Sequence, residues 1–330
     1  METLGLLALI LVALGFDFTN GFHDAANAIA TSVATRALRP RTALGLAAVF
    51  NLFGSLVSTK VANTVGGIIT APTTPEGLTV VFAAVVGAIV WNLITWYFGL
   101  PSSSSHALIG GLCGAAIASS GHVNWGSVRD KVVIPMVVSP VVGFVLAFLV
   151  MIALLWTLRR ANPREANVGL RMGQWASSGA MAFGHGLQDA QKTMGVITLA
   201  LVVTHHLSSF VVPVWVKIAC AVAISAGTAT GGARIMRTLG RRVFKLDNAS
   251  AFAAQSVASS VLLTSAFVYA APISTTHVIS SSVMGVGATR KLSAVRWGVA
   301  GNILVAWLLT LPAAGLMAAL CFEILRLFIH

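Results

Sequence analysis

Charge is what this sequence has least of. Asp and Glu number 9 and Lys and Arg 21 in 330 residues, so charged side chains make up 9%, against about 25% in an ordinary soluble protein. So few cannot clothe a chain of this length in water. A cytosolic enzyme, a secreted domain and a disordered chain are excluded. Cysteine is also scarce. Cys113, Cys220 and Cys321 each sit in an apolar run without metal-ligand spacing, and an odd buried set argues against a disulfide framework. No nucleophile–base–orienter set is present, so the chain is not read as an enzyme, and neither a cofactor nor a resident metal is expected. The net charge of +12 lacks a basic surface interleaved with aromatics, which excludes nucleic acid as a partner. No basic segment precedes the apolar residues 4–18, so they read as a mature helix and not a cleaved signal.

What is abundant is apolar. Hydrophobic residues make up 57% and the mean hydropathy is +0.88. A membrane helix needs about 20 mostly apolar residues. Residues 42–59, 78–100, 132–158, 211–232, 249–271 and 295–325 qualify. Residues 4–38 and 173–204 are interrupted by polar residues and glycine. Residues 101–120 and 272–289 open on a proline and a hydroxyl run. The fold class is therefore an all-α polytopic membrane protein with about 10–12 transmembrane helices, some broken.

Cations mark the loops. Arg36, Arg39 and Arg41 form one cluster, and Arg159, Arg160, Arg164 and Arg171 a second. Arg234, Arg237, Arg241, Arg242 and Lys245 form a third, and Arg290, Lys291 and Arg296 a fourth. By the positive-inside rule these face the cytoplasm. Loops 70–77 and 205–209 carry no Lys or Arg and are expected outside. Arg129 and Lys131 fit this pattern least well. The eight tryptophans read as interfacial anchors or packing.

The chain repeats itself. Asn20-Gly21-Phe22-His23-Asp24-Ala25-Ala26-Asn27 aligns without gaps on His185-Gly186-Leu187-Gln188-Asp189-Ala190-Gln191-Lys192, sharing glycine, aspartate and the alanine after it. Pro101-Ser102-Ser103-Ser104-Ser105-His106 aligns on Pro272-Ile273-Ser274-Thr275-Thr276-His277. The spacing from Asp24 to His106 is 82 residues, and from Asp189 to His277 it is 88. The loop after the first aspartate motif is basic and the next is not; after the second motif the order reverses. Two halves of opposite orientation, residues 1–158 and 172–330, joined by a cytoplasmic linker at 159–171, satisfy this pattern. Inverted repeats with interrupted helices mark a secondary transporter with its site at the midplane.

Asp17, Asn20, Asp24, Asn27 and Thr31 step by 3, 4, 3, 4, so a helix puts all five on one stripe. A polar stripe on an apolar helix must face protein or a cavity, because a carboxylate at the bilayer centre costs at least about 2.5–3.5 kcal/mol. His185, Asp189 and Lys192 repeat the 4, 3 steps. Pro101 and Pro272 suit the first turn of a helix. There the hydroxyls of Ser104, Ser105, Thr275 and Thr276 sit beside free N–H groups at the positive end of the helix dipole, a combination that binds a tetrahedral anion. The competing structural reading is that the hydroxyls cap helices or join them. His106 and His277 follow each run and are candidates to hold the hydroxyls or carry protons. His205 and His206 read as surface residues, and Asn51 as a polar tie between helices.

The two aspartate motifs and the paired Ser104-Ser105-His106 and Ser274-Thr275-Thr276-His277 segments resemble the duplicated signatures of the inorganic phosphate transporter (PiT) family, over nearly the whole chain. The resemblance implies secondary uptake of inorganic phosphate, a transport region on a scaffold, usual assembly as a homodimer, and a multi-pass place in the plasma (inner) membrane. Sodium-driven members carry Asn before each Asp and Asn three residues after it. Here His23 and Gln188 stand before Asp24 and Asp189, and Lys192 replaces the second later Asn. That form is similar to the proton-coupled bacterial branch. On this reading Asp24, Asn27, Ser104, Ser105, Gln188, Asp189, Thr275 and Thr276 line the phosphate site. Asp24, Asp189, Lys192, His106 and His277 serve coupling. Two carboxylates repel an anion, so a proton, sodium or a divalent cation must enter with it; a neutral metal–phosphate complex meets the same requirement. A sulfate permease of the same fold, a sodium-coupled symporter and an anion channel are the alternatives.

Overall fold

The computed structural model describes residues 2–70, 75–119 and 121–329. The centre of the loop expected outside at 70–77 therefore lies outside the described residues. Nearly everything described is helical. Helix α1 (Glu2–Ala34) is followed by α2 (Pro40–Val57) and α3 (Lys60–Gly66), α4 (Pro75–Phe98) and the short α5 (Ser104–Ala118). A four-residue α6 (Trp125–Val128) runs through a π-helical turn, Arg129–Val133, into α7 (Ile134–Leu158). Then come α8 (Pro163–Val203), α9 (Val214–Thr230), α10 (Ala233–Arg237), α11 (Asn248–Thr264), the short α12 (Thr275–Ala288) and α13 (Trp297–Ile329). Two short strands, β1 (Ile69–Thr70) and β2 (His122–Val123), pair antiparallel, with Ile69 opposite Val123.

The elements recur in order. A long helix (α1, α8) is followed by a bent pair, by another long helix, by a short buried one and by a final long one. The bend is 73° between α2 and α3 and 58° between α9 and the segment from Ala233 to Arg242. Gly231 (φ 77°) makes the second bend, in a region that glycine enters without steric cost. Packing recurs too: α5 lies against α4 and α13 as α12 lies against α11 and α7, and α2 lies against α8 as α9 lies against α1. Residues 163–171 form the first turns of α8, so only four residues separate α7 from α8.

Among the described residues, five single helices are long and apolar enough to cross a membrane, and up to seven spans result if each bent pair is one. The sequence count of 10–12 also includes α5, α12 and the polar α8. At 15 and 14 residues, α5 and α12 reach about 20 Å, short of the roughly 30 Å hydrocarbon core. They are nonetheless almost wholly buried. The lipid-facing shell is apolar side chains with no protein cover, such as Val137, Val141, Val145 and Leu149 on α7 and Leu308 and Leu316 on α13. The chain is a multi-pass membrane protein in which the polar residues of the aspartate motifs and hydroxyl runs face inward.

Candidate functional site

The aspartate motifs sit in the middle of α1 and α8, where the two helices pack on each other. The motif glycines explain part of this. A Cβ on Gly21 would meet the Ile224 carbonyl of α9, and one on Gly186 the Asn51 carbonyl of α2. Only glycine permits these crossings, and each lies three residues before its aspartate. The polar stripe of α1 is entirely buried, as are His185, Asp189 and Lys192.

The hydroxyl runs open α5 and α12, and the structure divides their duties. Ser103 and Ser274 are the N-caps. Each side chain accepts from a backbone N–H in the first turn, that of His106 or His277, at 3.2 Å. Pro101 and Pro272 precede the caps and do not occupy the first turn, a correction to the proline argument: the chain enters extended and the serines start the helices. Ser102 turns to Thr95 (2.8 Å). The next two hydroxyls of each run point at the motifs. Ser104 donates to Asp24 Oδ2 (3.4 Å) and Thr276 to Asp24 Oδ1 (3.3 Å). Thr275 donates to Asp189 Oδ2 (3.4 Å). The hydroxyls thus divide between capping a helix, at Ser103 and Ser274, and facing a carboxylate, at Ser104, Thr275 and Thr276.

The pairing is crosswise. Asn27 on α1 donates to Thr276 (2.8 Å) and Thr275 (3.2 Å) on α12. At the matching place on α8, Lys192 donates to Ser105 on α5, to Asp189 and, at 3.5 Å, to the Ile273 carbonyl. Each long helix therefore holds the short helix of the other set. Histidine backs both carboxylates: His23 Nδ1 lies 2.7 Å from Asp24 Oδ1, and His185 Nε2 lies 3.0 Å from Asp189 Oδ2. Asn51 does tie helices together, bonding His185 (3.0 Å) and Thr228 (2.7 Å), and through His185 it reaches Asp189. Ligand atoms of Asp24, His185 and Asp189 lie within 4.8 Å of one another.

Sequence reasoning left His23 and His185 out of the site. The signal for His185 was present, since it is in register with Asn20 and one turn before Asp189. Among the described residues, three expected site residues make no side-chain bond to the hydroxyls or carboxylates. Gln188 points away from the hydroxyls toward the end of α11. With its amide oriented to satisfy both ends, it donates to the Ala271 carbonyl and accepts from the Ala266 N–H, each at 3.3 Å. His106 and His277 face each other, ring centroids 4.8 Å apart, and His277 stacks on Trp307 at 3.9 Å. Neither ring bonds a site carboxylate among the described residues.

The arrangement is a buried cage with four inward hydroxyls, two helix starts, two carboxylates and one ammonium. Ser104, Ser105, Thr275 and Thr276 open helices, where first-turn N–H groups lack intrahelical acceptors. The cage suits a small oxyanion accompanied by a proton or cation.

Residues 20–318 match the phosphate transporter family. The chain is 48% identical over 323 residues to the "probable low-affinity inorganic phosphate transporter" of Rhizobium meliloti (strain 1021), covering 96% of this chain and 95% of that one. It is 42% identical over 333 residues to the protein so named in Bacillus subtilis (strain 168), covering 99% of each. Among solved structures, "the sodium-dependent phosphate transporter" superposes with a TM-score of 0.86 at 24% identity, over 98% of this chain and 100% of that one.

Proposed function

We propose that this chain, which belongs to the phosphate transporter family, is a secondary active symporter that imports inorganic phosphate with protons across the plasma (inner) membrane. The observation that carries the reading is the crosswise cage: Asn27 on Thr275 and Thr276, Lys192 on Ser105, with Asp24 and Asp189 inside it. The two sets of elements are read as inverted repeats, with the basic loops cytoplasmic and a homodimer as the assembly.

The proposed cycle follows from competition for Lys192. Its ammonium pairs with Asp189. An entering phosphate oxygen offers the same charge and takes over the ammonium, while Ser104, Ser105, Thr275 and Thr276 donate to the other oxygens. Asp189 then holds an unpaired charge beside an anion in a low-dielectric site. It takes a proton, because an unpaired carboxylate beside an anion opposes ionisation. Loading therefore requires protons, and release returns Lys192 to Asp189. Gln188 has no part in this scheme, and His106 and His277 serve by holding the two short helices side by side.

A second reading has its own support. The Asp24, His185 and Asp189 cluster is compact enough for a cation in place of the proton, and the solved structure that the chain resembles is that of a sodium-dependent transporter. Uptake of radiolabelled phosphate into proteoliposomes separates the two. A pH gradient should drive accumulation and a sodium gradient should not, with excess sulfate competing weakly. Uptake that follows sodium and ignores pH would overturn proton coupling; full competition by sulfate would overturn the substrate; absence of counterflow would point to a channel.

A further inference from the structure

One cavity lies far from the cage. It holds about 710 Å³ between the end of α1, the start of α2, the first turns of α8 and the turn after α10. Arg36, Arg39, Arg171 and Arg241 line it, with Thr42 and Trp175. All four arginines are exposed, and among the described residues none makes an ion pair. Orientation rules account for arginines in these loops, but not for their convergence. The four come from three stretches of chain, and Arg36 and Arg171 are 135 residues apart. Yet Arg171 donates to the Arg36 carbonyl at 3.0 Å. Arg36 itself sits in the left-handed region (φ 59°), which costs energy for a residue with a Cβ.

Four guanidinium groups around one cavity repel each other unless an anion lies between them. Guanidinium recognises phosphate by paired N–H donors. The surroundings select the source of the phosphate. Trp175, 45% exposed, lies one turn of α8 inward from Arg171, and Phe50 and Phe53 of α2, 40% and 59% exposed, continue in the same direction, Phe50 against Gly179, so an apolar strip leads from the arginines toward the middle of the bilayer. Tryptophan and arginine together mark the headgroup level of a bilayer. A free phosphate ion has no use for such a strip, whereas an acyl chain does.

We infer that the arginine cavity between the cytoplasmic ends of α1, α8 and α10 binds the phosphate group of an anionic phospholipid. Basic pockets between helices on the cytoplasmic side take such headgroups. Because α1 carries Asp24 and α8 carries Asp189 and Lys192, a bound headgroup ties together the ends of the two helices that build the cage. The inference is independent of the coupling ion.

Native mass spectrometry of the full chain with added cardiolipin, phosphatidylglycerol or phosphatidylcholine tests it. Arg39 and Arg241 are the residues to change, because neither side chain makes a hydrogen bond among the described residues. Losing a charge-assisted hydrogen bond to a bound phosphate weakens binding at least about tenfold, so R39Q/R241Q should weaken cardiolipin binding about 100-fold. R159Q/R160Q removes equal charge away from the cavity, where solvent screens it, and should change binding less than about threefold. Phosphatidylcholine should bind neither protein measurably. Equal losses in both double variants would mean general surface attraction and overturn the site. Unchanged binding in R39Q/R241Q would do the same. Displacement of cardiolipin by millimolar inorganic phosphate would make the cavity a free-phosphate site and overturn the lipid assignment. If R39Q/R241Q does not fold, R39Q and R241Q separately carry the same test at about tenfold each.

Discussion

Lys192 holds three acceptors with one ammonium, and those acceptors come from three different stretches of chain. It donates to Asp189 on its own helix, to Ser105 at the start of α5 and to the Ile273 carbonyl before α12. Removing one partner of a buried ion pair costs about 3–5 kcal/mol, because the other charge is left alone. Lys192→Gln should therefore lower the thermal midpoint sharply and abolish phosphate uptake. Adding Asp189→Asn should restore most of the stability and none of the uptake, as read by fluorescence-detected unfolding and liposome uptake. The adjacent hydroxyls make a finer comparison. Ser105→Ala and Thr276→Val each remove a donor from the cage. A hydrogen bond to a charged group is worth about 1.5–3 kcal/mol, so phosphate should bind about 10–150-fold more weakly. Ser103→Ala removes a helix cap instead. It should cost about 1 kcal/mol of stability and leave affinity nearly unchanged. Equal affinity losses at Ser103 and Ser105 would contradict the division between cap and cage.

At the scale of elements, the site depends on how closely long helices cross. Gly21 and Gly186 let α1 approach α9 and α8 approach α2 backbone to backbone, the small-residue packing that replaces the hydrophobic effect within a membrane. Gly21→Val or Gly186→Val must push these pairs apart. Overpacking costs about 1–3 kcal/mol or more, and the displacement moves Asp24 or Asp189 relative to the hydroxyls. Uptake should fall further than stability does. Gly45 on α2 provides the contrast, since a Cβ there meets nothing within 4 Å. Gly45→Ala should keep full uptake and gain up to about 1 kcal/mol of stability. Thermal unfolding in detergent, set beside uptake, checks all three.

At the scale of the molecule, the two sets of five elements pack with matching partners, while the basic clusters order the loops. If those loops share one side of the membrane, single cysteines introduced as R39C and R241C should resist an impermeant thiol reagent in intact cells and react in inverted vesicles. H205C should do the opposite. The background needs little editing, because Cys113 and Cys220 are buried. Labelling of R39C and R241C from outside would reverse the orientation and remove the argument for uptake, though not the cage.

Much of this protein is written in its sequence. Fewer acids and bases than water demands fixed the solvent as lipid. The 3, 4, 3, 4 steps put Asp17 through Thr31 on one face, because the period of a helix is a local property. Duplicated motifs single out Asp24, Asp189 and the two hydroxyl runs, because a repeat is visible in the order of residues alone. What the tertiary structure decided is which atom meets which. Ser102, Ser103, Ser104 and Ser105 are chemically alike and adjacent, so where the helix starts, not residue type, assigns one to Thr95, one to the cap and two to the cage. Gln188 precedes Asp189 on the same helix, yet a step of one residue turns it about 100°, toward α11 and out of the cage. The partnership of Lys192 with Ser105, 87 residues distant, and the meeting of four arginines around one cavity depend on helices crossing far apart in the chain. Local periodicity carries no information about such encounters; only the packing of the whole bundle supplies it.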